Sequence, residues 1–163
     1  MKNCKLISVV TLLFMGLSLK TSDTYCPCHP PWVAFNQECY LIVMQKMSYQ
    51  DAEEHCLTYS RALRECHLAS VANDEEYDFI LGLAVAASVD TSGLWLGLND
   101  RLNALDFVWT DGSTSSYRRW NAPNQPDNNN NCGRTSANHD YKMSDATCST
   151  KLASVCKVRQ RNV

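Results

Sequence analysis

The stretch GLWLGLNDRLNALDFVWTDGS, residues 93–113, is where the hydrophobic period of the chain changes. Leu94, Trp95, Leu96 and Leu98 form a nearly unbroken apolar run that stops at Asn99 and Asp100, and Phe107, Val108 and Trp109 form a second that stops at Asp111 and Gly112. Short apolar runs bounded by turn residues read as buried strands. Upstream the spacing is helical. Asn73, with Glu76 three residues later, marks a helix start, and Tyr77, Ile80, Leu81 and Ala84 supply its apolar stripe. Residues 83–87 extend that helix, and Gly93 closes the connection. An earlier helix opens at Ser48, whose hydroxyl can cap the free N–H groups of the first turn while Asp51 and Glu53 favour the positive end of the dipole. Ala52, Cys56 and Tyr59 recur on one face of it; His55 and Arg61 fall off that face, and Glu53 and Glu54 read as surface charge.

Further outward, WVAFNQECYLIVM (residues 32–44) carries aromatic and β-branched residues on both sides of a turn at 36–38, as a short hairpin does. DYKMS (140–144) and LASVCKV (152–158) read as two late strands, and no internal repeat occurs. Helices early and strands late, with a long irregular segment between strands, give an α+β domain. Trp95, Trp109 and Trp120 are expected in its core.

The first twenty residues, MKNCKLISVVTLLFMGLSLK, place Lys2 and Lys5 ahead of an apolar run from Leu6 to Leu19. That is the charged and hydrophobic order of a secretory signal, and the run is too short for a membrane span. The expected organisation is a signal peptide over 1–22 and a recognition domain over 23–163, secreted and extracellular. Nine cysteines among 163 residues suit an oxidising compartment. Cys4 leaves with the signal; the other eight allow 105 pairings, so spacing alone selects none. A structural zinc site would need paired C-x-x-C elements, which are absent. A net charge of −2 argues against a nucleic-acid partner, and the basic pair Arg118–Arg119 and the tail KVRQR read as solvated surface. The four histidines are scattered and no nucleophile and base pair by motif, so the chain is not read as an enzyme.

The segment from Trp120 to Cys148 is crowded with amides, carboxylates and hydroxyls. A loop of that length inside a small domain is typically functional or disordered. Hard cations such as calcium take six to eight oxygen ligands in flexible geometry, and oxygen-rich irregular loops suit them.

Taken in order, CHPPWVAFNQECY, SYQDAEEHC, HLASVANDEEYDFI, LWLGL, FVWTDGS, APNQPD, Cys132, Cys148 and ASVCK resemble the C-type lectin-like domain, in its secreted invertebrate galactose-type form, over residues 28–158. The resemblance implies two helices flanking small antiparallel sheets, with a long loop braced by a disulfide. It implies the pairs Cys28–Cys39, Cys56–Cys156 and Cys132–Cys148. Cys26 is then left either as the interchain cysteine of a disulfide-linked homodimer or as the intramolecular partner of Cys66, which is otherwise a buried thiol. In the family a proline in a cis bond stands between two oxygen-bearing ligands, here Gln125, Pro126 and Asp127. The order Gln-Pro-Asp goes with galactose and N-acetylgalactosamine, and Glu-Pro-Asn with mannose. The implied set for Ca2+ and for a galactose-type glycan is Gln125, Asp127, Asn130, Ser144 and Asp145. Asn130 stands where the family prefers Glu, and Met143, Ser144 and Asp145 replace its Trp-Asn-Asp, so Asp127 and Asp145 are the two carboxylates retained. Galactose binders of the family commonly stack the sugar on an aromatic ring, and no Trp or Phe lies between Gln125 and Cys132; Tyr141 or Trp120 could substitute, but each reads more simply as a strand or core residue. The alternative use of the same fold is calcium-independent binding of a protein, a lipid or an ice surface.

Overall fold

A computed structural model of the chain describes residues 28–61, 64–89, 93–123, 125–127, 129–136 and 140–159, with the backbone alone for Ser136 and Arg159. The expected signal segment 1–22 and Cys26 lie outside these residues. The elements run β1 (Val33–Phe35), β2 (Glu38–Met47), α1 (Tyr49–Leu57), β3 (Cys66–Leu68), α2 (Asp74–Ala86), β4 (Leu94–Asn99), β5 (Val108–Trp109), β6 (Cys132–Ser136), β7 (Lys142–Ala146) and β8 (Leu152–Arg159). The described strands join in one mixed sheet ordered β1-β2-β8-β4-β6-β7, with β3 on β8 and β5 on β4. β4 runs parallel to β8, and the other pairings are antiparallel.

β4 explains the apolar run on which the fold was read. All six of its residues are buried, because both faces of the strand are covered. Leu94, Leu96 and Leu98 belong to a cluster with Tyr77, Ile80 and Ala84 of α2 and with Tyr40, Val155 and Met143. Trp95 belongs to the cluster holding Tyr49, Ala52 and Cys56 of α1 with Leu68 and Cys156, and its indole N–H donates to the Met47 carbonyl at 3.0 Å. Gly97 is required where β3 leads past β4: a Cβ there would sit 2.5 Å from the Leu68 carbonyl oxygen.

The helix starts follow the sequence. The Ser48 hydroxyl accepts the Asp51 N–H at 3.3 Å, and Asn73 Oδ1 accepts the Glu76 N–H at 2.9 Å. Asn36 and Gln37, at φ 45° and 64°, make the two-residue turn of the β1–β2 hairpin. The disulfides Cys28–Cys39, Cys56–Cys156 and Cys132–Cys148 are those the resemblance implied. Cys66 is a buried free thiol among the described residues.

Four readings change. Glu53 is not surface charge: it is buried, accepts the Leu68 main-chain N–H at 2.8 Å and holds His67 Nδ1 at 2.6 Å. Arg118 and Arg119 are not simply solvated. Arg118 donates to the carbonyls of Ser115, Tyr117 and Phe107 and lies over the Trp109 ring, while Arg119 pairs with Asp78 at 2.7 Å over the ring of Tyr77. Lys157, in the basic tail, forms a shielded ion pair with Glu76 at 2.7 Å. Finally, the Trp120–Cys148 segment is not wholly irregular. CGRTS has no apolar alternation to announce a strand, yet β6 forms because β4 and β7 flank it and Cys132 is tied to Cys148.

Candidate functional site

The oxygen-rich loop leaves Trp120 and returns at β6, and both its ends are fixed by main-chain bonds. Asn121 N–H donates to the Met143 carbonyl at 3.0 Å, and Met143 N–H donates to the Arg119 carbonyl at 2.7 Å. At the other end the Asp100 N–H donates to the Asn131 carbonyl at 3.1 Å, and the Asn131 amide donates to Asp100 Oδ1 at 2.9 Å. Asp100 Oδ2 accepts the Leu105 N–H at 2.7 Å. Asp100, only 2 % exposed, therefore ties the β4–β5 connection to the loop. In the sequence Asp100 reads as a turn residue, and nothing in its local pattern announces the second partner, Asn131.

Within the loop the Gln125–Pro126 bond is cis, as the resemblance implied. Gln125 Oε1 accepts the Asp145 main-chain N–H at 2.8 Å, and Asp145 Oδ2 accepts the Asp127 N–H at 2.7 Å. The Asn130 amide nitrogen lies 3.2 Å from each oxygen of Asp127, and Asp127 Oδ1 also accepts the Asn129 N–H at 2.8 Å. Asn130 Oδ1 accepts the hydroxyl of Thr147 at 2.9 Å, a second contact the sequence did not reveal. Gln125, Asp127, Asn130 and Asp145 are thus one hydrogen-bonded cluster. Ser144 stands apart from it. Successive strand residues face opposite sides of a sheet, and the buried Ser144 hydroxyl accepts from Arg134 Nε at 3.2 Å across the β6–β7 pair.

Asp145 is 3 % exposed, and its Oδ1 is buried with no hydrogen-bond partner among the described residues. Burial pushes its carboxyl above the ordinary aspartate range, and the charge of Asp127 adds to the rise against the hydrogen bonds that oppose it. A buried carboxylate oxygen with nothing to bond, beside a second carboxylate, is short of positive charge. The residues present fit a hard cation: two carboxylates and two amide oxygens, with no nitrogen or sulfur ligand required. Asn130 is the one member turned the other way, with its NH2 group on Asp127. The amide would have to flip to offer its oxygen.

The aromatic residues differ in availability. Trp120 packs edge-on against Phe107 at 4.9 Å and is half-buried against the core cluster rather than within it, unlike Trp95 and Trp109. Tyr141 is 43 % exposed at the entry to β7, and its carbonyl accepts the Tyr77 hydroxyl at 2.7 Å.

Comparison with known proteins identifies the family of the fold. The family model described as the lectin C-type domain matches residues 45–158. The alpha-N-acetylgalactosamine-specific lectin of Patiria pectinifera is 37 % identical over 144 residues, covering 84 % of each chain. The solved C-type lectin CEL-I from Cucumaria echinata is 27 % identical, with a TM-score of 0.75 over 82 % of this chain and 99 % of its own. A calcium-independent type II antifreeze protein is 26 % identical, with a TM-score of 0.71 over 82 % of this chain and 95 % of its own.

Proposed function

The chain belongs to the C-type lectin domain family, and from that premise we propose that it is a secreted, calcium-dependent carbohydrate-binding protein that prefers galactose and N-acetylgalactosamine. The observation that carries the reading is Asp145 Oδ1, buried and without a partner among the described residues, in a carboxyl that also feels the charge of Asp127. Gln125, Asp127, Asn130 and Asp145 would hold the ion, and Ser144, on the other face of β7, does not enter the set. Calcium, when bound, supplies a Lewis-acidic centre that two neighbouring sugar hydroxyls can approach. The protein's part is to satisfy the same hydroxyls. The Asp127 carboxylate would accept hydrogen bonds from them and the Gln125 amide would donate to their oxygens. Exchanging the acid and the amide reverses which hydroxyl arrangement is satisfied. The Gln-Pro-Asp order, and the name of the starfish relative, support galactose-type ligands over mannose.

With two carboxylates, the calcium affinity belongs at the loose end of the roughly 10⁻⁴ to 10⁻³ M range of extracellular modules. One shallow sugar site is weak, and linked sites gain roughly 10²- to 10⁴-fold in avidity. Cys26 would supply that link as the interchain bond of a homodimer, which nonreducing electrophoresis reads directly. The dimer would agglutinate galactose-bearing cells, a role in innate defence. The relatives named are binding proteins, in keeping with a chain that is not an enzyme.

A second reading has its own observation: the Asn130 NH2 group already rests on Asp127, where a cation would otherwise balance the charge. A calcium-independent member of the fold, as the antifreeze neighbour's name describes, would look like this. Galactose-agarose separates the two. Retention in calcium with release by chelator supports the lectin; retention indifferent to chelator supports the rival.

A further inference from the structure

β3 and the residue before it, the run Glu65-Cys66-His67-Leu68, alternate sharply. Cys66 and Leu68 point into the core, fully buried, and Glu65 and His67 share the other side. Behind His67 stands Glu53 of α1. Its Oε1 lies 2.6 Å from His67 Nδ1, while Oε2 is fixed by the Leu68 N–H at 2.8 Å. A carboxylate so held orients the imidazole and leaves the other ring nitrogen, Nε2, directed outward. Nε2 lies 3.5 Å from Glu65 Oε2, long for a hydrogen bond. It is close to the ~3.3 Å that separates two ligands at a tetrahedral angle on an ion with bonds of ~2.0–2.1 Å. Both groups line a cavity of about 550 Å³, shared with Glu38, Asp111, Ser70 and Lys157. The lysine is already committed to Glu76.

We propose that His67 Nε2 and the Glu65 carboxylate form a second metal site, for a divalent transition ion of the zinc type, with Glu53 as the residue that positions the imidazole. Carboxylate behind histidine behind metal is the arrangement that fixes ring orientation and raises ligand basicity. An imidazole ligand selects zinc or copper over calcium, which keeps the site chemically separate from the all-oxygen cluster around Asp127. It is separate in space too: β3 pairs with β8, whereas Asp145 lies on β7 at the far end of the strand order. Among the described residues no group of three His, Cys, Asp or Glu side chains surrounds a point. The site therefore keeps at least two positions open to water or to donor atoms of a ligand in the cavity.

Calorimetric titration of zinc chloride into the whole chain, held in calcium buffer without chelator, tests this independently of sugar binding. The expected result is one saturable zinc event that weakens at least ~10-fold in Glu65→Gln and in His67→Gln, weakens ~10- to 100-fold in Glu53→Gln, and survives in Asp127→Asn. Glu65 has a side chain 83 % exposed, so its replacement does not threaten the fold. With copper(II) in place of zinc, the electron paramagnetic spectrum should show one imidazole nitrogen that disappears in His67→Gln. No saturable event, an isotherm unchanged in Glu65→Gln, or loss of zinc binding in Asp127→Asn overturns the proposal.

Discussion

Asp145 and Asp127 meet through one oxygen only: Asp145 Oδ2 accepts the Asp127 main-chain N–H at 2.7 Å, while Oδ1 is buried without a partner among the described residues. That asymmetry leaves a buried carboxylate whose desolvation its hydrogen bonds offset only in part. The consequence is a trade between folding and binding at a single side chain.

Asp145→Asn should separate the two. A neutral amide keeps an acceptor for the Asp127 N–H and removes the buried charge, so the metal-free protein should melt no lower than the parent. Calcium at about 10 mM should stabilise the parent by about 1.4 to 2.7 kcal/mol if its dissociation constant lies near 10⁻³ to 10⁻⁴ M. The variant should gain nothing. Thermal melts with and without calcium read both effects.

Asp100→Ala should damage the same site from a distance. It strands the Leu105 N–H and the Asn131 amide, both now bonded to a buried carboxylate. The expected cost is about 2 to 3 kcal/mol by denaturant titration, with weaker calcium binding because Asn131 adjoins Asn130. Unchanged calcium affinity would show that the tie does not position the loop.

Arg118 caps three carbonyls with one planar fork. Arg118→Ala should cost about 2 to 3 kcal/mol, and Arg118→Lys should recover little of it, since an ammonium cannot reproduce the fork. Urea unfolding of the pair of variants checks the order.

Burial pushes the Cys66 thiol up to about 12, with the charge of Glu53 adding to the rise. The unfolded chain ionises at its lower, ordinary value, so the folded state binds the proton more tightly. Stability contributed this way is intact below about pH 8.5 and is lost as pH climbs toward 12. Alkylation of Cys66 in the native protein should be negligible at pH 8, appear only on unfolding, and Cys66→Ala should flatten the alkaline loss of stability.

Much of this molecule is legible in its residues because the informative signals are local. Ser48 and Asn73 announce their helices, Asn36 and Gln37 their turn, and the unbroken run at Leu94–Leu98 a strand covered on both faces. Gln125 and Asp127 come from the family resemblance, and the structure brings them into one hydrogen-bonded cluster with Asp145. What stayed hidden depends on partners distant in the chain. Glu53 and Arg118 look like surface charge until Leu68 and three carbonyls take them up, and β6 exists only because its neighbours do. Ser144 shows the converse. A family position predicted its role, and strand alternation turned its hydroxyl toward Arg134.

The central claim, that Gln125, Asp127, Asn130 and Asp145 hold calcium for a galactose-type sugar, is tested most directly by calorimetry in two stages. Calcium titrated into the chelator-stripped protein should give saturable heat between about 10⁻⁴ and 10⁻³ M, after which N-acetylgalactosamine and galactose should bind and mannose should not. No heat from millimolar calcium, or N-acetylgalactosamine binding of equal strength before calcium is added, would contradict it.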